Sequence, residues 1–373
     1  MNYYTLGNSG LRVSRLALGT MTFGDDWGWG ADASTSRAIF DSFVDAGGNF
    51  FDTADLYTNG RSEEMLGAFI NDAGLRDHAI IATKFSYNAE PGNPNAGGNG
   101  RKNILRAVEG SLKRLGTDYI DLYILHTWDR FTRPEEVMRT FDDLVTDGKV
   151  RHVGLSNVPA WYAAEAQAVA SFRGYEPVSA LQLEYSLASR GIEHEYIDLA
   201  TQRGAGIMAW SPLASGLLSG KYKAQTDITA TGEGRLVTTA GSGNPAFEKF
   251  TERNFTIVAA LEQVAAEVER PMAQVALNWV ANRPGVASVL VGATKTTQMD
   301  SNLGALSFEI PEELMQKLDS ASQPSVPYPY SFFGNELMGM VTGGATVGDK
   351  PASYYPSYLL EGAGAGVGGA EGD

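Results

Sequence analysis

The chain has 373 residues, 43% of them hydrophobic, and 29 basic against 44 acidic side chains give a net charge of −15. That balance argues against a nucleic-acid or anionic-membrane surface, and the absence of cysteine excludes disulfides, thiolate catalysis and Cys-ligated zinc. The opening residues Met1-Asn2-Tyr3-Tyr4 lack a basic region followed by an apolar core, and no apolar run is long enough to span a bilayer. A soluble, cytoplasmic protein is the expectation.

In chain order, residues 3–13 read as a hairpin around Gly7-Asn8-Ser9-Gly10. Strands are predicted at 15–19, 49–52, 79–84, 119–125, 150–155, 179–183, 206–210 and 287–291. Helices are predicted near 34–46, 62–72, 101–115, 135–147, 159–170, 193–203 and 255–269, with shorter ones near 296–303 and 311–320. This alternation predicts an α/β fold, a (β/α)8 TIM barrel preceded by a hairpin, with an open doubly wound sheet as the alternative. Two turn-rich stretches, 86–100 with four glycines and two prolines and 212–253, would be long loops on the carboxyl-end face. The barrel is expected over 1–340. The Gly- and Ala-rich segment 341–373 is expected to be a flexible tail, in which Tyr354, Tyr355, Tyr358, Leu359 and Leu360 form either a docking segment or a sticky mobile stretch.

The run Ala79-Ile80-Ile81-Ala82-Thr83 ends in Lys84, an ammonium at the end of a buried strand, where it needs a partner for its charge. The neighbouring runs end at Asp52, with Tyr57 just beyond, and at His126. Polar residues at successive strand ends are how such a barrel builds a site. Lys84 would lower the pKa of the Tyr57 phenol, Asp52 would hold Lys84 charged and oriented, and His126 would donate to Tyr57 or to a substrate carbonyl. Taken singly, Asp52 is a turn residue, Tyr57 and His126 are packing groups, and Asp52–Lys84 is a structural ion pair. Convergence of three adjacent strand ends favours a proton-transfer set. The four histidines, His78, His126, His152 and His194, share no ligand-like spacing, so no metal site is expected. No Gly-x-Gly-x-x-Gly follows a strand, and Gly241-Ser242-Gly243 falls within a long loop.

With these residues in place, the sequence resembles an aldo-keto reductase, a bacterial member similar to the branch of potassium-channel beta subunits. The resemblance rests on Asn49-Phe50-Phe51-Asp52-Thr53-Ala54-Asp55-Leu56-Tyr57, Ala82-Thr83-Lys84, and Asp118 to Tyr123 leading to His126. Gly148-Lys149-Val150-Arg151 leading to Gly154-Leu155-Ser156-Asn157, Leu181-Gln182 and Ser211-Pro212-Leu213-Ala214 extend it over about residues 3–335. It implies NADP(H) as cofactor and Asp52, Tyr57, Lys84 and His126 as the catalytic tetrad. It further implies that Ser156, Asn157 and Gln182 hold the nicotinamide carboxamide, that Trp210 stacks on the ring, and that Thr20 contributes to the cofactor site. Ser211, Leu213, Gly216 and Lys221 would serve the diphosphate, and Gly292, Thr294, Lys295, Gln298 and Asn302 the 2′-phosphate and adenine end. Ser301 stands where many members carry an acidic residue.

Trp27, Trp29, Tyr87 and Trp128, with Phe131 and Tyr185, are candidate pocket aromatics for a bulky or cyclic carbonyl substrate, and Pro324 to Phe333 could wrap over that pocket. Ser156 or Asn157 as a helix N-cap and Trp210 as barrel packing are the plainer readings of those residues. Two other functions compete with carbonyl reduction: a lyase forming a Schiff base on Lys84, and a cofactor-binding regulatory barrel.

Overall fold

The computed structural model describes residues 1–222, 235–239, 243 and 247–345. Eight parallel strands close into a barrel: β3 (Leu16–Gly19), β4 (Phe50–Asp52), β5 (Ile80–Phe85), β6 (Ile120–Leu125), β7 (Val150–Ser156), β8 (Val178–Glu184), β9 (Gly206–Trp210) and β10 (Val286–Val291), with β10 pairing back onto β3. Before them β1 (Tyr3–Thr5) and β2 (Arg12–Ser14) form an antiparallel pair. The fold is the (β/α)8 barrel that the alternation of elements predicts, and the strand boundaries differ from the expected ones by a residue or so.

Between the strands lie α1 (Ala33–Asp45), α2 (Arg61–Asp72), α3 (Arg101–Leu115), α4 (Pro134–Thr146), α5 (Ala160–Arg173) and α6 (Tyr196–Arg203). Then come α7 (Arg235–Thr238), α8 (Glu252–Glu267), α9 (Met272–Ala281), α10 (Thr296–Leu303) and α11 (Glu312–Ser322). Their starts and stops follow local chemistry. Asp32 caps α1 by accepting from the Thr35 amide, Pro134 opens α4, and Gly116 closes α3 in the left-handed conformation. Helix α9 is absent from the sequence expectation. Its eight residues from Gln274 to Ala281 are all buried, so it shows no solvent face whose 3.6-residue period would reveal it. Its buried amides bind neighbours instead: Gln274 donates to the Ser301 carbonyl and Asn278 to those of Ala305 and Phe308.

Strand periodicity sets what faces the barrel axis. Phe50, Ile80, Ala82, Leu122, Ile124, Ala180 and Met208 pack together inside the barrel, above Leu6 and Val13 at its amino end. Their neighbours Phe51, Ile81, Tyr123, Leu181 and Ile207 belong to the larger core shared with the helices. Continuing the inward parity one step brings Asp52, Lys84, His126, Ser156, Gln182 and Trp210 to the carboxyl end. Residues Met1–Pro324 form one compact unit; a second begins at Ser325 and contains α12 (Asn335–Thr342). Gly241, Ser242 and the cluster Tyr354 to Leu360 lie outside the described residues. No described helix is long and apolar enough to cross a membrane.

Candidate active site

Lys84 is the centre of the inward layer and is fully buried. Its Nζ donates to Asp52 Oδ1 at 2.7 Å, to the Thr53 carbonyl at 2.7 Å and to the Tyr57 hydroxyl at 3.2 Å. Gln182 Nε2 donates to the other Asp52 oxygen at 2.7 Å. Both carboxylate oxygens and all three ammonium protons are therefore matched. An unpaired ion at this depth would cost several kcal/mol, so the pairing is what makes burial tolerable.

The local backbone delivers these groups. The Thr53 amide bonds the Ala82 carbonyl, the Asp55 amide bonds the Lys84 carbonyl at 3.0 Å, and the Tyr57 amide closes a turn onto Ala54. The chain after β4 is thus laced along the end of β5, which fixes Tyr57 above Lys84. Thr58 and Asn59 then take left-handed backbone angles. Among the described residues, Glu269 alone of the non-glycines with left-handed φ lies away from the loops after barrel strands. The others include Ser86, Arg130, Asn157, Ser211, Ala214 and Ser215. Such angles cost about 1–3 kcal/mol each and gather at functional faces.

Burial dominates the electrostatics. It pushes the Asp52 carboxyl up, against the pull of Lys84 and Gln182. Burial also draws Lys84 down, but Asp52 and Tyr57 outweigh it, so the ammonium is held above its ordinary range. Tyr57 departs from expectation. Its pKa is raised, because burial of the phenol outweighs the attraction of Lys84, whose charge is shared with Asp52 and the Thr53 carbonyl. Burial and then Lys84 hold His126 well below the usual imidazole range, so the ring is neutral near pH 7. Its Nδ1 is buried with no hydrogen-bond partner among the described residues. The His126 ring stands edge-on to Tyr57, centroids 5.8 Å apart, and to Tyr87 at 5.1 Å.

Asn157 joins three strand ends. Its Nδ2 donates to the His126 carbonyl at 3.0 Å and to Ser156 Oγ at 2.9 Å, while its Oδ1 accepts from Trp210 Nε1 at 3.2 Å, which fixes the indole. Asn157 is exposed, whereas Ser156 and Gln182 are buried. Thr20 is fully buried, its hydroxyl donating to the Asp52 carbonyl and sharing a bond with Ser62 Oγ. It therefore lies beneath the open site. After β9, Ser211, Ala214, Ser215 and Gly216 all have positive φ, a cradle in which Leu213 is partly exposed and Lys221 exposed. Much of the expected free backbone is used internally, Ser215 N binding Ser211 Oγ and Gly216 N the Leu213 carbonyl. After β10, Gly292, Lys295 and Gln298 are exposed, Thr294 is partly exposed and Asn302 is buried. Gln298 Oε1 accepts from the Thr294 amide at the start of α10.

The aromatic candidates divide. Trp27 meets Tyr57 edge-on at 6.5 Å and packs at a tilt on Trp29 at 5.5 Å; Tyr87 is 45% exposed. Trp128 lines a groove of about 500 Å³ with Asn157, Leu183, Glu184, Ile192 and Tyr196. Phe131 is exposed. Tyr185 is fully buried against Trp279, with its hydroxyl on Glu193, so it packs the core and does not line the rim.

Sequence reasoning missed the Thr53 carbonyl, which no side-chain pattern marks, and a second buried acid cluster behind the site. There Glu63 accepts from Thr83 Oγ1 and from Arg114 Nε, and Asp55 is buried with its Oδ1 unpartnered among the described residues. No local pattern marks this cluster, since Glu63 sits in the polar run Arg61-Ser62-Glu63-Glu64 and Asp55 in the turn after β4.

Comparison with known proteins agrees with this architecture. The profile of the Aldo/keto reductase family matches residues 15–323. A probable voltage-gated potassium channel subunit beta from Oryza sativa subsp. japonica is 37% identical over 87% of this chain and 97% of its own length. An aryl-alcohol dehydrogenase [NADP(+)] from Phanerodontia chrysosporium is 33% identical, covering 87% of both chains. A norsolorinic acid reductase from Aspergillus flavus is 31% identical over 87% of this chain and 82% of its own. With a matching profile over nearly the whole barrel and relatives aligned almost end to end, the chain belongs to the aldo/keto reductase family of oxidoreductases.

Proposed function

We propose that the protein uses NADP(H) to reduce an aldehyde or ketone to its alcohol, and catalyses the reverse, with Tyr57 as general acid and base. The observation that carries this reading is the buried Lys84 ammonium bonded to both Asp52 and Tyr57. The site residues suit a nicotinamide cofactor: the indole of Trp210 is fixed by Asn157, and the positive-φ residues Ser211, Ala214, Ser215 and Gly216 form a cradle beside Lys221. Ser156, Asn157, Gln182 and Trp210 would hold the nicotinamide end, and Thr20 supports the layer from below. Ser211, Leu213, Gly216 and Lys221 would hold the diphosphate; Gly292, Thr294, Lys295, Gln298 and Asn302 would hold the phosphorylated adenosine. When bound, the reduced cofactor supplies the hydride.

The chain's own residues manage the proton. With its pKa raised, Tyr57 is a neutral phenol near pH 7, so it has a proton to give to the substrate oxygen. The phenolate left behind would lie against the Lys84 ammonium, which stays charged because Asp52 holds it so. Neutral His126 donates a hydrogen bond to the same oxygen, stabilising the charge as it develops. Trp27, Trp29, Tyr87 and Trp128 offer flat apolar walls for an aromatic or otherwise bulky carbonyl, in keeping with the aryl-alcohol and norsolorinic acid enzymes among the relatives.

Binding without turnover is the second reading, favoured by the similarity to the potassium channel beta subunit. Schiff-base chemistry on Lys84 fits the geometry poorly, since it needs a free neutral amine and Lys84 is a fully bonded ammonium. The deciding experiment follows Trp210 quenching on titration with NADPH and NADH, then oxidation of NADPH against a panel of aromatic and aliphatic carbonyls. Turnover supports the reductase; retained cofactor with no turnover across the panel favours the regulatory reading.

A further inference from the structure

Asp55 lies in the turn that carries Tyr57, yet its side chain faces away from the site, into the layer between barrel and helices. The groups around it come from three elements: Glu63 on α2, Arg106 and Arg114 on α3, and Tyr123 on β6. Glu63 is fully buried and takes Arg114 Nε at 2.6 Å and Thr83 Oγ1 at 2.5 Å. Arg106 donates to the Ala96 carbonyl and to Asn103. Both arginines therefore make their hydrogen bonds elsewhere. Asp55 is 8% exposed, and its Oδ1 has no partner among the described residues. An ionised Asp55 would place a second negative charge beside Glu63 in a site with little solvent.

Asp55 is tied to the chemistry through its backbone. Its amide donates to the Lys84 carbonyl at 3.0 Å, and the next turn bond brings the Tyr57 amide to Ala54. We propose that Asp55 is a positioning residue for Tyr57 that works only as the neutral acid. Protonated, it lets the turn close on β5; ionised, its repulsion with Glu63 loosens the turn and moves the phenol off Lys84. The proton leaves to solvent, and no bond to substrate is involved. This inference rests on the reductase reading for its kinetic consequence and on the turn itself for its structural one.

Burial first, then Glu63, pushes the Asp55 carboxyl up to about 7. Tyr57 is displaced above the neutral range and His126 below it, so neither accounts for an inflection near pH 7. The test compares wild type with Asp55→Asn, an uncharged isostere. Wild-type kcat should fall as pH rises through about 7, approaching tenfold per unit above it, and Asp55→Asn should be flat across that window. Emission from Trp27, which packs on Tyr57, should change through the same window in wild type and not in the variant. Should Asp55→Asn fold poorly, Glu63→Gln frees Arg114 to pair with Asp55 and should move the wild-type inflection to lower pH. An inflection that persists in Asp55→Asn, or that Glu63→Gln leaves in place, overturns the proposal. The emission change needs no turnover, so failure of the reductase reading shows separately, as no carbonyl reduced by any of the proteins.

Discussion

Asp52 ends β4 and Asp55 lies in the turn that follows it, on the opposite side of the barrel wall. Inside, Asp52 has an ammonium on one oxygen and an amide on the other. Outside, Asp55 shares a buried layer with Glu63, whose arginine is already engaged. Depth in the protein does not distinguish them, since both are buried. Partners do. A buried carboxylate with matched donors can stay charged and order its neighbours, whereas one beside another acid is held neutral until the pH rises.

Removing the chemistry on the inner side should have the largest effect. Tyr57→Phe leaves the Asp52–Lys84 pair intact and should lower kcat by about 10²–10⁴-fold with NADPH affinity unchanged. Near wild-type rates in steady-state assays would show that Tyr57 is not the proton donor. Lys84→Met should cost about 3–5 kcal/mol in denaturant unfolding, because it strands Asp52 without a cation, and adding Asp52→Leu should recover part of that loss. Failure of the double variant to recover would mean that a stranded Asp52 charge is not the source of the loss. At the rim, Lys295→Ala should weaken NADPH by about tenfold or more while sparing NADH, read by titration; equal losses would refute a 2′-phosphate role.

The outer side predicts a subtler, pH-dependent effect. The Asp55 pKa is raised from its unfolded value of about 4 to about 7 on folding, so the folded chain holds the proton more tightly. Its contribution to stability is complete below the unfolded value. It falls by about 1.4 kcal/mol per unit as pH rises through that interval, and levels off above about 7. Thermal unfolding of wild type and Asp55→Asn across this range should diverge in slope, the wild type being the steeper. Parallel curves would equate the two sides of the wall.

The inner side was legible in the sequence because strand parity carries it. Asp52, Lys84, His126, Ser156, Gln182 and Trp210 continue the alternation of apolar residues that marks the strands, so finding the strands places the layer. The outer side was not legible in this way. Whether Asp55 has a partner depends on where α2 and α3 deliver Glu63, Arg106 and Arg114, and the two arginines come from a helix far along the sequence. The raised pKa of Tyr57 escaped for a similar reason, since pairing with Lys84 is readable from spacing while the burial that outweighs it is not. Tyr185 looked like a rim residue from its place after a strand, and only the packing of Trp279 shows it to be core. Helix α9 was hidden by its own burial.

The role of Tyr57 as proton donor in carbonyl reduction is tested by NADPH oxidation by the wild-type protein on a panel of aromatic aldehydes and ketones, with Tyr57→Phe measured alongside. Both proteins should bind NADPH tightly, and the wild type alone should turn over at least one carbonyl. Equal turnover by the two, or NADPH binding by neither, would contradict it.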